Sequence, residues 1–287
     1  MNESNFEELV ILAESGNAEA QFLLGMRYVE ERIDYIVNPE AAFRWLEAAA
    51  KQDYLSAQKK LGELYQGYHI LSPEYGWKVR RADKDLSAQW YQAAANHGDA
   101  ESLYHLGISH AVLTRLDNPE SLSDISFQDS FTQAEAYFQK CVQLGVSKWS
   151  GLAAEQLADL YHETGNKYAE DHLDIPRAMR TYKRAIKMYK YALASDNINK
   201  ASCYFQLGIL YNQFGDSAEA IEAYRCAIAN EINNLIECYY NIGEIFEMDE
   251  DYTNAIASYK RAIKSAGNSY LKKYAEERIK ELEEDSK

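Results

Sequence analysis

The chain has 287 residues, enough for one or two domains with a sizeable core. Its 30 basic residues against 45 acidic ones leave a formal charge of −15, which argues against a general nucleic-acid binder or an adherent of anionic membranes, since both need surplus lysine and arginine. Only 4 prolines and 14 glycines point to helix, and 23 tyrosines suit a thin helical fold in which a ring packs inside while its hydroxyl reaches the wet edge.

Residues 3–14 open the chain as a short amphipathic helix with Phe6, Leu9, Val10 and Ala13 inward. The acidic start lacks a basic stretch followed by an apolar run, so no secretory signal is expected. No apolar run approaches the ~20 residues that would span a bilayer, and the chain reads as cytoplasmic. A five-residue signature then appears as Leu24-Gly25-Met26-Arg27-Tyr28. It recurs at Leu61-Gly62, Leu106-Gly107, Leu157-Ala158, Leu207-Gly208 and Ile242-Gly243, each time with an aromatic or histidine three positions after the small residue. The first and last positions lie four apart on one helical face. A glycine inside a helix costs about 1 kcal/mol relative to alanine, so its recurrence calls for close helix–helix approach.

After each signature a second helical stripe follows. It runs Ala42, Trp45, Leu46, Ala49 in the first unit, Ser87, Trp90, Tyr91, Ala94 in the second and Ala134, Tyr137, Phe138, Cys141 in the third. In the fifth and sixth it runs Ala220, Tyr224, Ala227 and Ala255, Tyr259, Ala262. These offsets fill one stripe of a 3.6-residue helix, and no strand alternation is evident. The fourth unit can start its second helix at Ala178 or Ala185; counting to the next signature favours Ala185 and predicts one long helix from near Pro176 to about Ser195. Residues 270–284 close the chain as a charged helix with Tyr274, Ile279 and Leu282 inward, the polar cap that a repeat stack needs.

On these residues the fifth and sixth units, which match position for position without insertion, resemble tetratricopeptide repeats. The first three, with their extra aromatics Trp45, Trp90 and Tyr137 and the Ala94-Ala95 pair before a turn, resemble the Sel-1-like branch of that superfamily. The resemblance implies an all-α fold: a right-handed α-solenoid of about six antiparallel helix pairs, an α/α superhelix, with capping helices. Residues 1–165 would be Sel-1-like and 166–287 tetratricopeptide repeats with the capping helix, in one continuous solenoid. From small residue to second-helix start, Gly208 to Ala220 and Gly243 to Ala255 are the same short interval. Gly25 to Ala42, Gly62 to Ser87 and Gly107 to Ala134 are longer, so the first three units carry insertions between their two helices. A stack accepts insertions only away from its repeat-to-repeat contacts, which places these loops together on one edge.

No catalytic, metal-binding or phosphate-loop motif is present, so the chain reads as a non-enzyme with no cofactor or metal. Cys141, Cys203, Cys226 and Cys238 sit in apolar helical patterns and read as small buried residues. In the family, the first helices line a groove through fixed positions of each unit. The resemblance thus implies a partner groove of Phe22, Met26, Tyr104, Phe205, Ile209, Asn212, Tyr240, Glu244 and Glu247. Members that clamp a peptide's C-terminal carboxylate use lysine, arginine and asparagine there, and this mixture of aromatics and carboxylates fits a basic or mixed-apolar protein or peptide better. The second insertion offers a further binding loop in Tyr75, Trp77, Arg80 and Arg81. The expected function is a scaffold or adaptor for a polypeptide. The alternatives are an immunity-type inhibitor of a cationic toxin, and a small-molecule receptor or enzyme.

Overall fold

The computed structural model describes residues 3–30, 35–36, 39–72, 76–80, 82–116, 125–145, 147–170, 174–265 and 270–285. Fourteen helices appear among them, α1 (Glu3–Glu14), α2 (Ala18–Met26), α3 (Pro39–Ala50), α4 (Leu55–Gln66), α5 (Lys84–Asn96), α6 (Ala100–Leu116), α7 (Ile125–Gln143), α8 (Lys148–Glu170), α9 (Ile175–Ala192), α10 (Lys200–Phe214), α11 (Ser217–Ala229), α12 (Leu235–Met248), α13 (Tyr252–Ser265) and α14 (Tyr270–Asp285). They gather into two compact units, 1–144 and 145–287. Each is a stack of antiparallel helix pairs. The first pairs α2 with α3, α4 with α5 and α6 with α7; the second pairs α8 with α9, α10 with α11 and α12 with α13.

Close approach within each pair explains the recurring glycine. A Cβ on Gly208 would lie 2.6 Å from the Tyr224 ring, one on Gly243 2.6 Å from Tyr259, one on Gly62 2.8 Å from Tyr91 and one on Gly107 2.5 Å from Phe138. The first helix therefore offers a flat spot on which the second lays its largest side chain, and those side chains are almost wholly buried. Gly208 to Tyr224 and Gly243 to Tyr259 are equal intervals along the chain. The first three pairs, Gly25 to Leu46 included, return to that interval once their insertions are removed. In the fourth pair the fully packed ring is Tyr189, 1% exposed, whose place after Ala158 matches the second-helix start at Ala185. A further glycine, Gly165, accommodates the Tyr182 ring there. Helix α9 is longer than α10 to α13, and Asp174 caps it through the Arg177 amide at 3.1 Å.

Successive pairs of the first unit are also tied through buried glutamines. Gln21 Nε2 donates to the Ala13 carbonyl at 3.0 Å, and Gln58 Nε2 to the Ala50 carbonyl at 3.2 Å. Both lie one helical turn before the signature glycine, and each adds a second hydrogen bond to a carbonyl at the end of the preceding helix that also accepts a backbone amide, from Gly16 and Asp53 respectively.

Beside the all-α stack expected from the sequence, a short sheet occurs as well. β1 (Val29–Glu30), β2 (Tyr35–Ile36), β3 (Tyr68–Ser72) and β4 (Gly76–Arg80) form one sheet in that order. β1 and β2 come from the first insertion, β3 and β4 from the second, and β2 runs parallel to β3 through Tyr35↔His69 and Ile36↔Ile70. The sheet thus joins the two insertions along one edge, as the spacing required. The aromatic and β-branched content of Tyr68-His69-Ile70-Leu71 and Trp77-Lys78-Val79 favours extended chain, a preference outweighed in the reading by the surrounding helical period. The third insertion goes in part into longer helices, since α6 has 17 residues and α7 has 19.

The capping helices lie where expected, with two residues turned otherwise. In α1, Ala13 is buried while Phe6 is 40% exposed. In α14 the inward row is Ala275, Ile279 and Leu282, and Tyr274 is 54% exposed. Steps of four and three from Ala275 follow the helical period, whereas Tyr274 falls off that stripe.

Candidate functional site

In the first unit a cleft of about 430 Å³ opens along α2, α4 and α6. It is lined by Phe22 and Met26 of α2, by Ser56, Lys59, Lys60 and Glu63 of α4, by Glu101 and His105 of α6 and by Tyr91 of α5. Tyr91 reaches it because Gly62 lets the ring lie flat on α4, and His105 stacks on that ring at 4.8 Å with planes 12° apart. Phe22 meets Tyr54 at 5.3 Å. The wall is therefore aromatic at its base and charged along its rim.

The charges interlock. Lys59 pairs with Asp99 at 3.3 Å and also with Glu101. Lys60 reaches Glu63 at 3.0 Å. Asp99 is itself fixed as the cap of α6, accepting from the Ser102 amide at 2.8 Å and hydroxyl at 2.7 Å. Burial works against the Lys59 ammonium, but Glu101 and Asp99 outweigh it and hold its pKa above the ordinary value. Burial pushes Tyr91 upward, with Glu63, Glu101 and Asp99 adding to the effect. It pushes His105 downward against the same carboxylates, favouring the neutral ring.

Of the residues expected to form a groove, Phe22 and Met26 line this cleft. Tyr104 is half-buried beside it, edge-on to His105 at 5.5 Å and 6.3 Å from Phe138. Lys59 and Glu63 were not singled out from the sequence, although they stand to Gly62 as Phe22 and Met26 stand to Gly25. Lysine is therefore present at a groove position, but two carboxylates already hold it, unlike an open cation awaiting a chain terminus.

In the second unit, Phe205 and Ile209 are half-buried against the α11–α12 core, with Phe205 5.7 Å from Tyr224. Asn212 is half-buried on α10. Tyr240 meets Tyr259 at 5.4 Å, and the Glu244 carboxyl is raised chiefly by burial, against opposing pulls from Tyr240 and Arg278. Glu247 is engaged by its own chain: the Tyr259 hydroxyl donates to it at 2.9 Å and Arg278 of α14 grips it through Nε at 3.2 Å and through a second nitrogen. These residues thus divide between the two units. Trp77 and Arg80 lie in β4, paired in register with Leu71 and Tyr68, whereas Tyr75 and Arg81 lie outside the described residues. Cys141, Cys203 and Cys238 are buried and Cys226 half-buried, all as free thiols. Among the described residues no cluster of three His, Cys, Asp or Glu side chains is placed to hold a metal ion, and no helix is long and apolar enough to cross a membrane.

A family model described as tetratricopeptide repeat matches residues 201–229 and 236–269, which are α10–α11 and α12–α13. Over these two helix pairs the chain carries tetratricopeptide repeats. No curated protein matches it. Among solved structures it is similar to the C-terminal part of a TPR repeat-containing protein from Cytophaga hutchinsonii, at 15% identity over 94% of this chain and 98% of that one, with a TM-score of 0.49. It is also similar to YrrB, a TPR protein with an unusual peptide-binding site, at 15% identity over 81% and 97% and a TM-score of 0.48. A protective antigen of uropathogenic Escherichia coli with an SLR fold aligns at 17% identity over 91% and 72%, with a TM-score of 0.29. The sequence match covers the two pairs in which Gly208 meets the Tyr224 ring and Gly243 the Tyr259 ring.

Proposed function

We propose that this tetratricopeptide-repeat chain is a non-catalytic adaptor that holds a polypeptide segment against the α2–α4–α6 face of its first unit, whose pairs we read as Sel-1-like repeats. The cleft carries the proposal: it combines an aromatic floor with fixed charges of both signs, and about 430 Å³ suits one or two side chains of a docked segment. Phe22, Met26 and Tyr91 would take an apolar or aromatic anchor. Glu63, Glu101 and Asp99 outnumber Lys59 and Lys60 around it, which favours a basic flanking residue in the partner. With Lys59 already engaged twice, a free C-terminal carboxylate would have to displace an existing partner, so an internal segment is the better guest.

The test is a selection of displayed peptides on the intact chain, counter-screened with Phe22→Ala and Glu63→Lys variants. Peptides with an apolar anchor beside lysine or arginine, weakened about tenfold or more by either change, are expected, since anchors dominate such interfaces. Recovering no binders, or binders indifferent to both variants, would refute the cleft as the docking site.

A further inference from the structure

Helix α9 departs from the charge balance of the rest of the chain. Its sequence, IPRAMRTYKRAIKMYKYA, holds Arg177, Arg180, Lys183, Arg184, Lys187 and Lys190 and no acidic residue, in a protein of net charge −15. At about 100° per residue these six fall within an arc of about 140°, opposite the stripe of Ala178, Thr181, Tyr182, Ala185, Tyr189 and Ala192 that is buried in the unit. All six cations are exposed.

For four of the six the charge is not cancelled by a neighbour. Several other lysines of the second unit stand beside a carboxylate one helical turn away: Lys200 by Asp196, Lys273 by Glu277 and Lys280 by Glu284. On α9 Arg177 pairs with the capping Asp174, at 3.3 Å. Arg180, Lys183, Lys187 and Lys190 meet no carboxylate within ion-pair distance among the described residues. Instead, aromatic rings from the flanking helices support the row. Arg177 lies over Tyr168 at 5.7 Å and Arg184 over Tyr161 at 4.1 Å, both rings on α8; Lys183 lies over Phe214 at 5.8 Å and Lys190 over Tyr211 at 5.4 Å, both on α10. Arg184 also donates to the Tyr161 hydroxyl at 2.6 Å. A ring face steadies a cation without neutralising it, so the groups are positioned and still carry their full charge.

We propose that the exposed face of α9 is a docking surface for a short acidic polypeptide segment, separate from the α2–α4–α6 cleft and opposite to it in charge preference. From Arg177 to Lys190 the row spans about 20 Å, the reach of roughly six extended residues. Length decides between kinds of polyanion. A duplex or an anionic bilayer continues well past that length and would meet the acidic remainder of a chain with 45 carboxylates, whereas a short Asp/Glu run stays within about a Debye length of the row.

The experiment is fluorescence anisotropy of a labelled oligo-glutamate peptide of about six residues with the full chain at low salt. Saturable binding that weakens as salt rises is expected. The R180E/K187E variant should lose about tenfold or more, because two attractive contacts become repulsive, while K272E/K273E on α14, with the same change in net charge, should leave binding unchanged. Both α9 positions are exposed, so circular dichroism should match the parent; R180Q/K187Q, expected to weaken binding in the same direction, replaces the reversal if it does not. Absence of binding to the parent, equal loss in the α14 control, or no loss in the α9 variants overturns the proposal. So does tighter, α9-dependent binding of duplex DNA or phosphatidylserine vesicles than of the peptide.

Discussion

At Gly208 two effects of opposite sign meet. Alanine is favoured over glycine in a helix interior by about 1 kcal/mol, yet a Cβ there would stand 2.6 Å from the Tyr224 ring. Tyr224 is 1% exposed and its hydroxyl accepts from Asn241 at 3.1 Å, so the ring is held along its length and at its tip. Overpacking a filled core costs about 1–3 kcal/mol, and the steric effect therefore wins. Gly208→Ala should lower the unfolding free energy by up to about 2 kcal/mol in a urea titration; a variant as stable as the parent or more so would mean the ring gives way freely. His162 sets a second residue-scale test. It is buried against Tyr182, edge to face at 5.9 Å, and its Nε2 has no hydrogen-bond partner among the described residues. Burial holds its pKa below the ordinary histidine value, against smaller upward pulls from Gln206 and Glu163. A depressed folded-state value means its stabilising share is whole above the unfolded pKa and is lost as pH falls through the lowered one. His162→Phe keeps the ring contact and removes that proton uptake. Its melting temperature should fall less than the parent's between neutral and mildly acidic pH, and parallel curves would exclude His162 as the group responsible.

At the scale of helices, the boundaries were legible where packing is local. Each glycine and its ring belong to one hairpin at a fixed separation, so residue identity carries the contact directly and α9, α10 to α13 and both capping helices could be read in advance. The cleft was legible only in part. Phe22 and Met26 follow from the repeat register, but the pairing of Lys59 with Asp99 and Glu101 joins α4 to α6 across the whole of α5 and leaves no periodic trace. The short sheet is legible only in part for a related reason, since its two hairpins lie each within one insertion but are joined by the β2–β3 pairing between insertions. Helix α14 shows what a cap contributes. It covers Ala255 and Tyr259 with Ala275 and Leu282, and Arg278 reaches across to Glu247. Removing residues 270–287 should uncover that apolar seam and cost about 2–4 kcal/mol, from burial of one leucine, part of Ile279 and the lost charged contact. A lowered urea midpoint with increased binding of an apolar dye is expected; an unchanged midpoint would show that the last pair needs no cover.

For the molecule as a whole, the question is whether residues 145–287 are a folding unit or only a geometric division. Their core is assembled from their own residues: Leu157, Leu160, Tyr161 and Tyr189 in one pair, Leu207, Leu210 and Tyr224 in the next, Ile242, Ile245 and Tyr259 in the third. Cys238, Ile242 and Ile245 pack with Ala220 and Tyr224 of the preceding pair, so α11 and α12 share a continuous apolar seam, and α14 closes its far side. Three pairs meet the number that a repeat array needs before nearest-neighbour contacts outweigh the entropy of ordering each hairpin. A globular segment of this length also buries most of the surface its unfolded chain exposes. Residues 145–287 expressed alone should accordingly be helical and unfold in one cooperative transition. A fragment with little helix, or one that melts gradually, would show that these pairs depend on the preceding ones and that stability in this chain propagates along the repeats.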